Sequence, residues 1–496
     1  MRPYASILAK AESMAVEPGA AADSNAHLFV DLDGTLIRTD LLFESLLLLI
    51  RRNPLYLAVI PFWLLKGRAW LKHQIARRVE IDPAVLPYNE AFLAWLGDQR
   101  ARGRRMTLIS ASNQRYVSAV AEHVGLFDAA IGSDGKTNLK ARNKLRRIEE
   151  IVQGGKFAYA GDSRADLPVW AGAGAGQILL VNCSPSIRSR FENSPAEVLR
   201  FGSAPALSEP LLRAMRPHQW LKNTLLFVPL ILSHQLFRPD LLFASAIGFV
   251  SFCLCASSVY LLNDMLDLDN DRAHQTKRKR PFASGELALA AGFAAAPALL
   301  IGAFLVSLLL PADFRLVLLI YWLLTCLYSF ALKRIFLLDV ATLAVLYAFR
   351  VTAGAEAIEV AATNFLIAFS LCFFLGLAMV KRVTELVNLQ AAPAGAVSGR
   401  AYRKNHEPLL SVIGSLASLM AVVVFAFYIN APATTRLYGS PLLLWLICPL
   451  LIVLLGRIWW LARAGRLHED PVLFAVEDRF SQMIVLATGV LIWLAA

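Results

Sequence analysis

Charge is scarce in this chain. Only 17% of its 496 residues are Asp, Glu, Lys or Arg, where soluble globular chains carry about a quarter. With 57% hydrophobic residues, that shortage excludes a wholly soluble protein. The shortage is uneven. Before Arg216 the text is mixed; after it, apolar runs of membrane-spanning length recur. Paired cysteines are lacking too. The six Cys form no CxxC: Cys253, Cys255, Cys326, Cys372 and Cys448 lie inside apolar runs and Cys183 stands alone, which excludes a disulfide framework and a zinc site. The opening MRPYASILAKAESM lacks the apolar core of a secretory signal, so the soluble part is expected to stay in the cytoplasm. Acids are fewer than bases, and the net charge is +12. Basic cytoplasmic loops and anionic lipid account for that sign. No basic and aromatic groove marks a nucleic-acid partner.

Where acids do occur, they crowd. Tyr260 to Gly285 reads YLLNDMLDLDNDRAHQTKRKRPFASG. Asn263, Asp267 and Asp271 fall at i, i+4 and i+8, one face of a continuing helix. Asp264 is one step round, and Asp269 adds a further carboxylate. So many acids repel one another unless a cation sits among them. Oxygen ligands of this kind suit Mg²⁺, which bridges to substrate phosphates. His274, Lys277, Arg278, Lys279 and Arg280 follow at once. Acids for a metal and then a basic run describe a diphosphate site. A polar cytoplasmic loop would account for the basic run alone, but not for four Asp and an Asn at a membrane surface.

The soluble half carries a second constellation. His27 to Val30 is a strand candidate running into Asp31-Leu32-Asp33-Gly34-Thr35-Leu36. A first Asp at a strand end can attack phosphorus, and an Asp two residues on can protonate the leaving oxygen. The pair can also chelate Mg²⁺. Met106 to Ser110 predicts a second strand ending in a hydroxyl. Lys144 follows on a basic helical segment. Phe157 to Ala160 leads into GDSRAD, Gly161 to Asp166. Nucleophile, hydroxyl, lysine and paired Asp in this order resemble the four motifs of the haloacid dehalogenase superfamily, over about residues 27–200. The resemblance implies an α/β, Rossmann-like parallel sheet flanked by helices. It also implies Asp31 as nucleophile, Asp33 as acid/base, Ser110 and Lys144 as phosphoryl binders, and Asp31, Asp33, Asp162 and Asp166 around Mg²⁺.

Between the first two motifs, about residues 41–95, lies an insert with two apolar runs broken by Arg51, Arg52, Asn53, Pro54 and Pro61. Neither spans a bilayer. A helical cap is expected, either lying on the membrane with Lys66, Arg68, Lys72, Arg77 and Arg78 at the headgroups, or forming a buried cap core. Pro185 to Pro210, rich in Ser, Pro and Ala, reads as a linker. The expected organisation is a mobile lead over 1–26, a phosphatase-like domain over 27–200, a linker over 201–212 and a membrane domain over 213–496.

Nine candidate spans follow, at about 221–238, 241–262, 288–310, 314–332, 337–355, 362–380, 409–430, 441–462 and 480–495. The fifth is interrupted by Arg350 and Gly354. Bases concentrate in alternate loops (Arg272, Lys277 to Arg280, Lys333, Arg334, Lys381, Arg382, Arg400, Arg403, Lys404, Arg463, Arg466, Arg479), against Arg238, Arg315 and Arg436 opposite. The positive-inside rule places the soluble domain and both polar clusters in the cytoplasm. The second cluster, Lys381 to Leu386, KRVTEL, sits after the sixth span as the Asp-rich segment sits after the second. The two are expected to share one cavity. Arg350, inside a span, is a site candidate, or else snorkels to the interface or forms an internal ion pair.

The membrane half resembles the UbiA superfamily of intramembrane prenyltransferases through Asn263-x-x-x-Asp267-x-x-x-Asp271 and its spans. That family usually carries a second Asp-rich motif after the sixth span. Here one acid, Glu385, stands beside two bases, which tells against a prenyl diphosphate donor. RPHQWLKN, the Asp-rich run, YSFALKRIFLLDV, KRVTEL and DPVLFAVEDR are similar to the decaprenyl-phosphate phosphoribosyltransferase branch. That resemblance implies 5-phosphoribosyl diphosphate as donor, a polyprenyl phosphate as acceptor, and Mg²⁺ as cofactor. Asn263, Asp264, Asp267 and Asp271 would hold the metal, and Lys222, Lys277, Arg280, Lys333, Lys381, Arg382 and Glu385 would line the phosphate sites. The fused domain would remove the 5-phosphate of the lipid product. Two alternatives stand beside it: a UbiA-type enzyme prenylating an aromatic or other acceptor, and a transporter or lipid-binding protein with a regulatory phosphatase-like domain.

Overall fold

The structure, a computed structural model, describes residues 26–172, 174–204, 206–390, 402–467 and 471–496. The expected lead up to residue 25, Arg400 and Asp470 lie outside the described residues. The chain divides into two compact bodies, one of residues up to 214 with 264–294, the other of 215–263 with 295–496. The Asp-rich segment therefore groups with the soluble domain.

The first body is built on six parallel strands: β1 (His27–Val30), β2 (Met106–Asn113), β3 (Ala129–Ser133), β4 (Phe157–Gly161), β5 (Ala175–Val181) and β6 (Glu197–Phe201), in the order β3-β2-β1-β4-β5-β6. Period-two alternation splits the apolar residues between two faces. Leu28, Val30, Leu108 and Ala160 pack on one side, and Phe29, Ile109, Phe157 and Tyr159 on the other. Val30 pairs in register with Leu108 and Ala160. Parallel pairing therefore brings the residues that follow each of them to one edge. β6 corrects the linker reading of 185–210: this Ser- and Pro-rich stretch supplies a sheet strand, since Val198 and Leu199 can still pair with Ile178 and Leu179.

Helices of at least eight residues in this body are α1 (Leu41–Arg52), α2 (Tyr56–Leu65), α3 (Arg68–Ala76), α4 (Glu90–Ala101), α5 (Gln114–Val124), α6 (Arg142–Val152) and α7 (Ser208–Met215), the last ending at the boundary. The Asp40 side chain caps α1, accepting from Leu42 N at 2.8 Å. The cap divides the two expectations between its helices. Leu49, Leu71, Ile75 and Val79 form a small buried core. No residue of α2 is buried, and Leu57, Phe62 and Leu65 stand exposed with the adjoining Leu55.

Among the described residues, seven helical stretches are long and apolar enough to cross a membrane. These are α8 (Pro239–Leu266), α9 (Leu289–Ser307), α10 (Ala312–Phe330), α11 (Leu338–Ala357), α12 (Asn364–Gln390), α13 (Glu407–Ile429) and α14 (Ile447–Arg463), the last entered through a 3₁₀ turn at Pro441–Leu446. The first and ninth expected spans differ. The first is a 3₁₀ segment, Pro217–Phe227, followed by a five-residue helix, with Pro217 and Pro229 opening its two pieces. The ninth, α15 (Arg479–Ala495), has 17 residues, about 25 Å of helix against a hydrocarbon core of about 30 Å. α11 runs unbroken through Arg350 and Gly354. A Cβ at Gly354 would lie 2.1 Å from the Leu226 carbonyl oxygen, so the glycine admits the 3₁₀ segment rather than ending the helix.

Candidate active sites

The sheet edge assembles the first site. Asp31 follows β1, and its N–H donates to the Ala160 carbonyl. Leu32 N donates to Asp31 Oδ1 at 2.8 Å. The other oxygen, Oδ2, meets Lys144 Nζ at 2.8 Å, and that ammonium also lies 3.4 Å from Asp166 Oδ1. Tyr159 donates to Asp166 Oδ1 at 2.6 Å, while Asp162 N, Ser163 N and Ser163 Oγ donate to Asp166 Oδ2. Asp166 is thus held from both sides. Gly34 has φ +78°, and a Cβ there would lie 2.2 Å from Asp162 Oδ2. Only glycine lets the loop pass this close to a carboxylate.

Asp31, Asp162 and Asp166 each offer a carboxylate oxygen, all within 4.8 Å of one another. Three hard oxygen donors with one lysine for counter-charge fit Mg²⁺. Asp33 lies outside that trio. Its Oδ1 accepts from Leu41 N at 2.8 Å, and its Oδ2 accepts from Ser110 Oγ at 3.0 Å and Ser112 Oγ at 2.6 Å. Ser110 therefore orients the expected acid/base residue directly.

Burial pushes the Asp31 carboxyl up to about 7, against the pull of Lys144. Burial and the neighbouring Asp166 hold Asp162 well above the carboxylate range. Burial works to lower Lys144, but Asp31 and Asp166 outweigh it and keep the ammonium above its ordinary value. Three carboxyls with one ammonium at one strand end favour a divalent cation there, and a phosphoryl group only with that cation bound.

Sequence reading missed three members. Ser112 is two residues past Ser110 on β2, a same-face signal that was available. Tyr159 likewise precedes Gly161 by two. Lys72, expected at the headgroups, instead turns inward. Its Nζ donates to the Ala111 carbonyl at 2.5 Å, between the two serines. Burial lowers its pKa, against Asp33 and Asp40.

In the Asp-rich segment the helix does not continue through. α8 ends at Leu266, Asp267 departs from helical geometry, and a short helix, Leu268–Ala273, resumes. The bond from Asp271 N to the Asp267 carbonyl survives at 2.9 Å. The face that forms is not the expected one. Asp264 and Asp271 are buried, and Arg280 Nη1 bridges them at 3.1 and 2.7 Å. Asn263 and Asp267 are half-buried. Burial raises the Asp271 carboxyl, while Arg280 and Lys277 pull it down. The acids are oxygen donors of the type Mg²⁺ prefers, with one basic residue of the following run already among them.

The second body holds the other polar cluster. Arg382 donates through Nε to Asp339 Oδ2 at 2.6 Å and through Nη2 to Asp339 Oδ1 at 3.0 Å, and through Nη1 to Glu385 at 2.6 Å. Tyr328 also donates to Asp339 Oδ1. Arg382 and Asp339 are 1% and 0% exposed. Arg382, expected to meet a phosphate, is committed to this network. Lys222, Lys333 and Lys381 are half-buried. Arg350 is buried, donating to Asn223 Oδ1, Tyr321 Oη and the Leu346 carbonyl, and its guanidinium also faces the Tyr347 ring. A cavity of about 550 Å³ opens in the same body, lined by Phe365, Phe369, Phe373, Phe374, Phe425 and Tyr428 among others.

A bundle of apolar helices with an acid-and-base segment after its first long helix, joined to a parallel-sheet phosphoryl site, defines a membrane transferase with a hydrolase domain. The sequence model of the UbiA prenyltransferase family matches residues 224–484, more than half the chain, and the chain belongs to that family. The model of haloacid dehalogenase-like hydrolases matches residues 28–170. The chain is 37% identical over 468 residues to "Uncharacterized protein y4nM" of Sinorhizobium fredii, covering 93% of this chain and 89% of that one. It is 31% identical over 222 residues to a decaprenyl-phosphate phosphoribosyltransferase of Mycolicibacterium smegmatis, covering 44% of this chain and 69% of that one. A solved UbiA homolog from Archaeoglobus fulgidus, bound to GPP and Mg²⁺, superposes with a TM-score of 0.45 at 15% identity, over 57% of this chain and all of that one.

Proposed function

We propose that this protein transfers phosphoribose from 5-phosphoribosyl diphosphate to a polyprenyl phosphate, and that its phosphatase domain then removes the 5-phosphate from the lipid product. The observation that carries the transfer reading is the Arg280 bridge between Asp264 and Asp271. Acids and bases are interleaved there as a metal–diphosphate needs them. Similarity to the decaprenyl-phosphate phosphoribosyltransferases supports the same donor and acceptor.

The lipid phosphate oxygen attacks ribose C1, and diphosphate leaves. Lys277 and Arg280 meet the leaving diphosphate, and Asp267 and Asp271 would hold the Mg²⁺ that neutralises it. Lys222, Lys333 and Lys381 are the proposed cations for the remaining phosphates, and Arg382 is positioned by Asp339 and Glu385. The aromatic cavity suits an apolar prenyl chain. Mg²⁺, when bound by the acids of either site, supplies charge neutralisation and polarises phosphate oxygens.

In the phosphatase domain, Asp31 attacks the 5-phosphate and forms an aspartyl phosphate. Asp33, aimed by Ser110 and Ser112, gives a proton to the ribose 5-oxygen and later takes one from water. Lys144 balances negative charge at Asp31 throughout. The exposed apolar helix α2, flanked by Arg51, Arg52, Lys66 and Arg68, suits a membrane surface. A lipid-linked substrate that stays in the bilayer fits that placement. The distribution of basic loops supports a cytoplasmic side for both reactions.

The test is to give purified protein a polyprenyl phosphate and labelled phosphoribosyl diphosphate and follow the lipid. Wild type should accumulate the dephosphorylated product, and Asp31→Asn should stop at the 5-phosphate form. The same phosphorylated product from both would refute the phosphatase step. No labelled lipid from either would refute the donor and acceptor.

A further inference from the structure

One stretch of the phosphatase domain faces in two directions. At the start of α1, Leu41 N donates to the proposed acid/base Asp33. One turn further, Glu44 leaves the phosphatase site behind and meets the Asp-rich segment. Arg272 Nη2 lies 2.5 Å from Glu44 Oε1, and Nη1 lies 3.1 Å from Oε2. The two side chains are 6% and 3% exposed. Arg272 is the residue after Asp271, and its Nε donates to the Ala283 carbonyl at 3.2 Å. One guanidinium therefore ties two points of the Asp-rich segment, Arg272 and the Ala283 backbone, to one carboxylate of the phosphatase cap.

Other contacts along 38–51 point the same way. The Phe43 ring packs on Phe293 at 5.2 Å between centroids. Arg51 Nη1 lies 3.9 Å from Asp269 Oδ2. Gly285, at φ +76°, approaches Arg38 so closely that a Cβ would lie 2.7 Å from the Arg38 carbonyl oxygen. Three positions of the segment, with Phe293 just beyond it on α9, thus meet four residues of one 14-residue stretch.

A buried bidentate pair is a weak source of net stability, because desolvation offsets attraction. Its strength is geometric: a guanidinium fork accepts one orientation of the carboxylate. Losing either partner leaves a buried charge exposed to no counter-charge. That geometry would fix the direction in which the adjoining Asp271 and its Arg280 partner present themselves.

We infer that the phosphatase domain is the scaffold of the Asp-rich segment, with Glu44 and Arg272 as positioning residues that hold the segment in its diphosphate-binding form. The assignment of diphosphate to that segment rests on the proposed transferase; the scaffold itself does not. It also gives the fusion a reason independent of whether the two reactions run in sequence.

The experiment uses the full chain in lipid nanodiscs with Glu44→Arg, Arg272→Glu, the double exchange, and Glu80→Gln as a control at an exposed acid. Amide hydrogen exchange over 264–285 and transfer rates against donor concentration are both read. Each single variant should speed exchange in the segment at least about tenfold and raise the donor KM about tenfold with a smaller change in kcat. The double variant should recover both to within about threefold. The control should match wild type. If a reversal fails to fold, Glu44→Gln keeps the shape, removes the charge, and should still speed exchange. Wild-type exchange in Glu44→Gln or in either reversal would overturn the scaffold, as would a double variant no better than the singles. Exchange loosened in the singles and restored in the double, without phosphoribosyl transfer by wild type, supports the scaffold and removes the proposed donor instead.

Discussion

The Lys72 ammonium donates to the carbonyl of Ala111, between the two serines that orient Asp33. A cap lysine at that position can meet an anionic substrate arriving at Asp31. Lys72→Ala is expected to raise the phosphatase KM roughly tenfold to a hundredfold, the range of a charged hydrogen bond, while Lys72→Arg recovers part of it. Phosphate release against substrate concentration measures this. An unchanged KM in Lys72→Ala removes the lysine from substrate recognition.

The raised carboxyl of Asp31 has a pH consequence. Burial moves it from 3.8 to about 7 in the folded, metal-free domain. Between those values the folded state binds a proton that the unfolded state has released, so stability falls as pH rises through that window. Asp162 is raised in the same sense. Metal-free protein should therefore melt higher at about pH 5 than at about pH 7.5, and Mg²⁺ should stabilise more at the higher pH, where its ligands are ionised. Thermal unfolding with Mg²⁺ or chelator checks both. An equal Mg²⁺ shift at the two pH values contradicts the reading.

Asp267→Asn or Asp271→Asn should lower transfer by about a hundredfold or more, the usual cost of removing a group that stabilises developing charge. Phosphatase turnover on a soluble phosphate ester should be retained. Full transfer in either variant ends the assignment of that acid to the diphosphate.

The Arg382 network predicts stability rather than chemistry. Breaking one side with Asp339→Ala takes from the buried Arg382 guanidinium its fully buried counter-charge, leaving Glu385 as the remaining carboxylate, and should cost about 3–5 kcal/mol. Asp339→Leu combined with Arg382→Met should cost less than Asp339→Ala, because no buried charge remains. Unfolding midpoints in a fixed detergent decide it. Equal losses in the single and double variants would show that the pair is not what the single variant breaks.

Helix α2 yields a localisation test. Phe62→Asp with Leu65→Asp should slow removal of phosphate from a lipid-linked substrate several-fold, and leave hydrolysis of a soluble ester unchanged, if its apolar face rests on the bilayer. Loss of both activities together would mean the helix supports the fold instead.

Local signals by themselves determined much of this protein. The apolar runs, the DxDGT strand end, Ser110, Lys144 and the GDxxxD turn are short patterns whose geometry follows from backbone period and parallel pairing. They place Asp31, Asp162 and Asp166 just past the ends of the adjacent strands β1 and β4, and Lys144 reaches them from α6. The basic loops and the Asp-rich segment were legible for the same reason. Tertiary structure decided which partners those residues take. Arg280 settles between Asp264 and Asp271 because the helix breaks at Asp267, and nothing in i, i+4 spacing shows that break. Lys72 turns inward while α2 leaves Leu57, Phe62 and Leu65 exposed, though both belong to one insert, because only Tyr56, Ile60 and Trp63 of α2 reach the cap core. Within the Ser- and Pro-rich 185–210 stretch, Glu197–Phe201 becomes β6 because the edge of β5 offers it hydrogen bonds. Glu44 and Arg272, 228 residues apart, look like ordinary helix and loop charges until folding removes both from water. Buried pairing of distant charges is set by packing, and packing has no sequence period to read.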